Sequence, residues 1–217
     1  MGLVATACID KPTEHRVRAN AYLRGGDAKA ALAEIDQGLQ HKADDMALLT
    51  LRGKALFELE RYDEAKAAYL AAEKQGSGPE LAEVHVGLAM VAMRQDDMPA
   101  AKQRFETLVE LNARDADARL NLARVCLQME DMKCAIEHGE EAGHLRGNSE
   151  DVLFTLGRIY VVAKKYPEAE KTFMHICEVI PNASSCPYGV ALVAAQQGDK
   201  EKALAKLNEA IQRKLPN

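Results

Sequence analysis

Small and bulky apolar residues recur along this chain with a period of 34 residues. The pattern divides the chain into six repeats with one two-residue insertion: 12–45, 46–79, 82–115, 116–149, 150–183 and 184–217. Turn residues such as Arg24-Gly25-Gly26-Asp27 and Gln197-Gly198-Asp199 fall near the middle of a repeat. Each repeat is therefore predicted to contain an A helix at about positions 2–14 and a B helix at about positions 18–31, with no strands.

Two positions of the repeat hold only Ala or Gly. Position 8 holds Ala19, Gly53, Ala89, Ala123, Gly157 and Ala191, and position 20 holds Ala31, Ala65, Ala101, Ala135, Ala169 and Ala203. Small side chains at fixed offsets indicate places where helices cross closely. Position 24 is bulky and apolar in five repeats but is Gly139 in the fourth, so we expect a local gap or an altered contact there.

The fifth repeat shows the most complete motif. Leu156-Gly157 is followed by Tyr160, Ala169, Phe173 and Pro181. This spacing resembles the tetratricopeptide repeat, a helix-turn-helix unit of about 34 residues. The resemblance implies an all-α, right-handed superhelical solenoid of six repeats over 12–217, whose concave wall is built by the A helices. Because the register ends without an extra capping helix, Leu204 and Ile211 are expected to face solvent or a neighbour.

Composition and charge narrow the classes of partner. Hydrophobic residues make up 47% of the 217 residues and charged residues 28%, with a net charge of -5, which excludes disordered and collagen-like chains. Acidic and basic residues are interleaved, so no concentrated positive field suits a phosphate backbone, and no nucleic acid partner is expected. No apolar run approaches the roughly 20 residues needed to cross a bilayer, so any membrane connection must be an anchor.

Four cysteines are placed symmetrically about predicted turns. Cys126 and Cys134 lie four residues on either side of Glu130, and Cys177 and Cys186 flank the turn at Pro181-Asn182. Residues equidistant from a turn stand opposite each other in an antiparallel helix pair, so two disulfides are predicted, and they imply an extracytoplasmic compartment. The alternative is four buried cysteines with free thiols.

The fifth cysteine, Cys8, lies before the first repeat. Ala5-Thr6-Ala7-Cys8 resembles the end of a bacterial lipobox, so we interpret 1–11 as a truncated signal peptide with its lipobox and a tether, and Cys8 as the lipid attachment site. Two alternatives stay open. Met1-Gly2 also matches the start of an N-myristoylation pattern, and Cys8 can equally be an incidental free cysteine.

No catalytic motif is found. The sequence contains no HExxH, no P-loop and no GxSxG, and its six histidines form no ligand set. We therefore expect a non-enzymatic protein without a cofactor, a metal or a small-molecule substrate.

Binding of a protein partner by the concave wall is the function that remains. We predict that the side chains of the A helices capture an amphipathic helix or an extended segment of a protein partner, with Lys54, Arg124 and Arg158 available to acidic groups. The candidate residues are Val17, Asn20, Leu23, Leu51, Lys54, Phe57, Val86, Met90, Met93, Leu120, Arg124, Leu127, Phe154, Arg158, Val161, Val162, Tyr188 and Leu192.

The carboxylate clamp of chaperone-binding tetratricopeptide domains does not fit this wall. Arg16 and Asn20 suit two of its five positions, but Leu51, Glu83 and Gly87 do not provide groups that bind a carboxylate.

A lipobox-like cysteine followed by six such repeats resembles the pilotin lipoproteins of type IV pilus systems, the Tgl, PilF and PilW group. The resemblance implies a lipid anchor in the outer membrane facing the periplasm, binding of secretin subunits, and promotion of their assembly for pilus biogenesis and motility. Two alternatives are another envelope scaffold lipoprotein and a cytosolic adaptor with free thiols.

Overall fold

The computed structural model describes residues 10–214, and this part of the chain contains twelve α-helices, one short 3₁₀ turn and no strands. The helices are α1 (Lys11–Arg24), α2 (Ala28–His41), α3 (Met46–Glu58), α4 (Tyr62–Glu73), α5 (Ala82–Arg94), α6 (Met98–Leu111), α7 (Ala116–Gln128), α8 (Met132–Leu145), α9 (Glu150–Val162), α10 (Tyr166–Val179), α11 (Ser185–Gln196) and α12 (Lys200–Lys214). Each predicted repeat forms one hairpin, with an odd-numbered A helix and an even-numbered B helix. The predicted all-α class is confirmed.

The helices belong to two compact units that divide between Leu111 and Asn112. The N-unit contains α1–α6 and the C-unit contains α7–α12, so each holds three hairpins. Within each unit, every A helix also contacts the next A helix, α1 with α3 and α3 with α5, and α7 with α9 and α9 with α11. The A helices of a unit therefore lie side by side and share one surface. A single solenoid over 12–217 stays a prediction.

Aspartate caps the start of six helices. Each of these side chains accepts a hydrogen bond, 2.9 to 3.2 Å long, from the backbone N–H three residues later. The bond satisfies a donor that has no partner inside the helix, which fixes where the helix begins. The six caps are Asp27, Asp45, Asp97, Asp115, Asp131 and Asp199.

The turn inside every hairpin has the same backbone form. Position 15 of each repeat has a positive φ, between 57° and 81°, and is occupied by Gly26, Glu60, Asp96, Glu130, Lys164 and Gly198. The next residue donates its N–H to the carbonyl five residues earlier, as from Asp131 to Cys126 at 2.9 Å. This is the left-handed helix end that glycine favours. All six hairpins turn alike, although four of them place a side chain in that conformation.

Tyr69, at position 24, is the central aromatic residue of the N-unit core. A Cβ atom added to Gly53 would lie 2.7 Å from its ring, and one added to Gly87 would lie 2.3 Å from it. Gly53 belongs to the same hairpin and Gly87 to the next A helix. The tyrosine therefore fills the space between two hairpins, and both glycines are needed to make room for it.

The C-unit repeats this arrangement with Phe173. A Cβ atom on Gly157 would lie 2.5 Å from its ring, and one on Gly189 would lie 2.2 Å from it. The small residues predicted at helix crossings are likewise buried, apart from the half-buried Ala203 in α12. The register thus located the close contacts of both units.

The two-residue insertion lies in the 3₁₀ turn Gly78–Leu81, which joins α4 to α5. Leu81, at the end of the turn, is buried in the N-unit core. The turn therefore absorbs the extra length while the following repeat keeps its register.

The outer face of α12 is apolar. Leu204 is 62% exposed and Ile211 is 51% exposed, as expected, and Leu207 at position 24 is exposed as well. Within the described residues no helix follows α12 to cover them. None of the described helices combines the length and the hydropathy needed to span a membrane.

Candidate partner-binding surface

The A helices of the N-unit line a cavity of about 360 Å³. Its walls come from α1, α3, the 3₁₀ turn and the start of α5. Val17 and Leu51 supply apolar surface, Arg16 and Asn20 lie on the α1 side, and Glu83 lies on the α5 side. The cavity thus combines an apolar patch with groups of both charges.

Four of the N-unit residues predicted to bind a partner are exposed. Val17 and Val86 expose apolar surface, and Asn20 and Lys54 expose polar groups. Within the described residues Lys54 has no hydrogen bond or ion pair, so it is available to an acidic group. Three further predicted residues are half-buried: Phe57, Met90 and Met93.

Three predicted contact residues belong to the core instead. Leu23, Leu51 and Leu120 are all buried, so the prediction that they present a binding surface is wrong for most of each side chain. Leu23 and Leu51 pack in one cluster with residues of α2. Leu120 packs with Ala142 of α8 and Val152 of α9. These leucines hold hairpins together, and only the edge of Leu51 reaches the N-unit cavity.

The two cations predicted in the C-unit have different surroundings. Arg124 donates to the Asp151 carboxylate and, at 3.2 Å, to the Thr155 hydroxyl, so it joins α7 to α9 and is not free for an acidic partner. Arg158 is exposed and has no polar partner within the described residues. Arg158 is therefore the available cation of this surface.

An aromatic pair also lies on the A helices of the C-unit. The half-buried Phe154 and the exposed Tyr188 stack with their ring centroids 6.0 Å apart. Tyr188 also borders an apolar cavity of about 320 Å³ that is lined by Leu207 and Ile211 of α12. The remaining predicted residues of this unit are the exposed Val162 and the half-buried Leu127, Val161 and Leu192.

The structure also explains why a carboxylate clamp does not form in the N-unit. Gly87 is buried against the Tyr69 ring, and Glu80 and Glu83 place two carboxylates in the wall of the cavity. A carboxylate ligand would meet like charge there.

Sequence reasoning missed part of this cavity, namely Met46, Thr50 and Glu80. Met46 and Thr50 lie one turn apart on α3, and the Thr50 hydroxyl donates to the Met46 carbonyl at 2.8 Å. Glu80 lies in the 3₁₀ turn. The insertion at this point was the available signal, because an irregular connection between repeats brings additional side chains to the surface.

The structure places both predicted cysteine pairs at bonding distance. The sulfur atoms of Cys126 and Cys134 are 1.98 Å apart, and those of Cys177 and Cys186 are 2.06 Å apart. The first disulfide joins α7 to α8 within a hairpin, and the second joins α10 to α11 of the next hairpin. Cys8, the predicted lipid attachment site, lies outside the described residues.

One group of side chains has the spacing of metal ligands. Ligand atoms of Cys126, Asp131 and Cys134 lie within 4.8 Å of one another. The two sulfurs are bonded to each other, however, so neither is a thiolate that could hold an ion.

Comparison with known proteins identifies the repeats. The family model described as tetratricopeptide repeat matches residues 16–80 and 86–150, together more than half of the chain. The chain belongs to the tetratricopeptide repeat family. A search of curated proteins finds no match to the sequence.

Three solved structures show the same fold at low sequence identity. Pseudomonas aeruginosa pilF is 17% identical with a TM-score of 0.75, and the match covers 90% of this chain and 88% of that one. PilW, described as a widely conserved type IV pilus biogenesis factor, is 14% identical with a TM-score of 0.77, covering 92% and 91%. YrrB, a tetratricopeptide repeat protein with an unusual peptide-binding site, is 22% identical with a TM-score of 0.67, covering 83% and 92%.

Tetratricopeptide repeat proteins are generally protein-interaction scaffolds rather than enzymes, and no catalytic family is found for this chain. The exposed side chains of its A helices are consistent with that role.

Proposed function

We propose that this protein is a pilotin, a lipid-anchored outer-membrane protein that binds secretin subunits and promotes their localisation and multimer assembly for type IV pilus biogenesis. A lipid on Cys8 holds the protein at the membrane. The A-helix surfaces bind a segment of the secretin.

The A-helix surfaces of the two units are the observation that supports this proposal most directly. Each presents exposed apolar side chains and one cation without a polar partner in the described residues, Lys54 in the N-unit and Arg158 in the C-unit. An amphipathic helix or extended segment with apolar and acidic side chains is complementary to such a surface. This describes the class of segment to seek in the secretin.

Two further observations favour the same function. The fold resembles pilF and PilW over about nine tenths of all three chains. The two cysteine pairs at bonding distance favour an oxidising compartment such as the periplasm.

The test uses the full-length protein in pilus-producing cells that lack the native copy. Val86→Glu places a carboxylate on the A-helix surface, so we expect fewer secretin multimers on immunoblots while the variant itself stays in the outer-membrane fraction. The Cys8→Ala variant is expected to be lost from the outer-membrane fraction.

Met174→Glu is the matched control. Met174 lies on the B helix α10 and is 46% exposed, compared with 41% for Val86. The Met174→Glu variant should have normal levels of secretin multimers and should stay in the outer-membrane fraction. Normal multimers with Val86→Glu would refute the binding surface, and membrane-bound Cys8→Ala would refute the anchor.

A further inference from the structure

The C-unit contains a cavity of about 570 Å³ that is separate from the A-helix surface of the proposed function. It lies among α8, α9 and α10, on the side of the B helices. A volume of this size is typical of sites that bind small molecules, and it is more than large enough for one long side chain.

Glycines of α8 and of the turn after it open this cavity. Gly139 and Gly143 lie one turn apart on α8, and Gly147 lies in the turn after the helix. Gly143 and Gly147 line the cavity. The next B helix, α10, has Phe173 and Cys177 at the positions that correspond to Gly139 and Gly143. Leu156 fills part of the space, with its Cδ2 atom 3.3 Å from the place of a Gly143 Cβ. At Gly139 the structure shows the altered contact and not a gap, because a Cβ atom there would lie 3.0 Å from Ile159 Cδ1 and 3.3 Å from Leu156 Cδ1, and Gly139 does not line the cavity.

The cavity has an apolar wall and two carboxylates. Leu156 and the ring of Tyr160 are buried and form the wall, and the Tyr160 hydroxyl donates to Glu140 Oε1 at 2.8 Å. Glu140 and Glu168 both line the cavity, and within the described residues neither forms an ion pair.

The local field is negative beside Tyr160. Burial raises the pKa of Tyr160 above its ordinary range, and the hydrogen bond to Glu140 and the charges of Glu140 and Glu168 raise the pKa further. Lys171 and two histidines complete the rim, and one of them, His175, is paired with Glu178 at 2.9 Å. The lining contains two carboxylates and one lysine, and a second lysine, Lys165, has its Nζ atom 5.7 Å from the centroid of the Tyr160 ring.

We propose that this cavity binds a Lys or Arg side chain of a protein partner. The alkyl part of the guest lies along Leu156 and the Tyr160 ring, and its cationic head lies at Glu140 and Glu168. Carboxylates without an ion-pair partner are the groups that attract an ammonium or guanidinium ion. A long apolar stem also suits the wall, which an inorganic cation would leave uncovered.

The proposal can be tested by titrating the intact, oxidised protein with N-acetyl-arginine amide while recording the backbone amide signals of Gly143, Gly147 and Thr172. Saturable shifts with a dissociation constant in the millimolar range are expected for so small a probe. N-acetyl-citrulline amide has nearly the same shape without the charge and should bind at least about tenfold more weakly.

Two variants on α8 locate the site. Glu140→Gln removes a charge but keeps an acceptor for Tyr160, so affinity for the arginine probe should fall about tenfold with little effect on folding. Glu137→Gln is the control, because Glu137 is exposed on the same helix and does not line the cavity.

A third probe, propylguanidine, carries the guanidinium on a three-carbon stem with the same single charge but without the peptide backbone. Weaker binding of propylguanidine than of N-acetyl-arginine amide supports a protein side chain as the guest. Tighter binding of propylguanidine, equal binding of the citrulline probe, unchanged affinity in Glu140→Gln, or no binding would each overturn the proposal.

Discussion

The N-unit and the C-unit have the same three-hairpin fold but stabilise it differently. Each has one aromatic ring between two glycines, Tyr69 in the first and Phe173 in the second. Within the described residues only the C-unit contains disulfides. Its α7–α8 hairpin, which has Gly139 where other repeats have a bulky residue, is the hairpin closed by Cys126 and Cys134. Ile159 and Leu156 pack beside Gly139, and we expect the covalent link to offset the bulky side chain that this hairpin lacks.

The largest expected loss of stability comes from removing the buried aromatic ring that each unit has between two glycines. Phe173→Ala removes a fully buried ring from the C-unit, and Tyr69→Ala removes the equivalent ring from the N-unit. Each should lower the free energy of unfolding by about 3–5 kcal/mol, measured by urea titration, with hydrogen exchange showing which unit has lost protection. The exposed Met174→Ala should change stability by less than about 0.5 kcal/mol. If one substitution lowers the free energy of unfolding far less than the other, the two cores are not equivalent.

A smaller loss of stability is expected from removing a disulfide, which among the described residues only the C-unit contains. Replacing Cys126 and Cys134 together with Ala releases a loop of about nine residues, so stability should fall by about 2.5 kcal/mol by the chain-entropy argument. Faster hydrogen exchange is expected in α7 and α8 and not in the N-unit. The double variant of Cys177 and Cys186 is the comparison, because it frees a loop of similar length between two hairpins that both have a bulky residue at position 24. If α7 and α8 lose no more protection than α10 and α11 lose in that comparison, the disulfide does not compensate for Gly139.

The smallest effect concerns a polar group of the N-unit core. His85 is buried beside Arg104 and Glu73, with its Nδ1 atom 3.2 Å from an Arg104 nitrogen. Burial lowers the pKa of His85, Arg104 lowers it further, and Glu73 opposes the shift. Below the ordinary pKa of about 6.5 the unfolded chain therefore binds a proton that the folded chain does not, and stability falls until the pH passes the lowered pKa.

Urea titrations from pH 7.5 to 5 measure this loss. The difference in stability between the native protein and His85→Gln should shrink over that range, because the variant has no proton to bind at this position. A constant difference would mean that His85 does not contribute to the acid sensitivity of the N-unit.

The fold was readable from the sequence because its determinants are local. Asp131 caps α8 within three residues, Glu130 forms the turn, and Cys126 and Cys134 face each other because they are equidistant from that turn. Gly139 likewise predicted an altered contact, and Ile159 and Leu156 of the next A helix occupy the space beside it. Each inference needed only the register and the geometry of a hairpin.

The surface was less predictable, since exposure depends on the neighbouring hairpin. Val17 and Leu51 occupy the same position in successive repeats, yet Val17 is 62% exposed and Leu51 is 6% exposed. Leu51 packs against the hairpin before it, whereas no described helix precedes α1. Arg124 was expected to be free, but it meets Asp151 on the next A helix. A register gives the position of a residue in its own repeat and not the side chain that it faces in another.

The main contacts within each unit join helices that are only one or two apart in chain order. A chain organised in this way closes only short loops as it folds, so each unit has a low contact order. Both units should therefore fold within milliseconds, well before a disulfide can form. The helix turns bring Cys126 to Cys134 and Cys177 to Cys186, and oxidation then fixes pairs that folding has already selected.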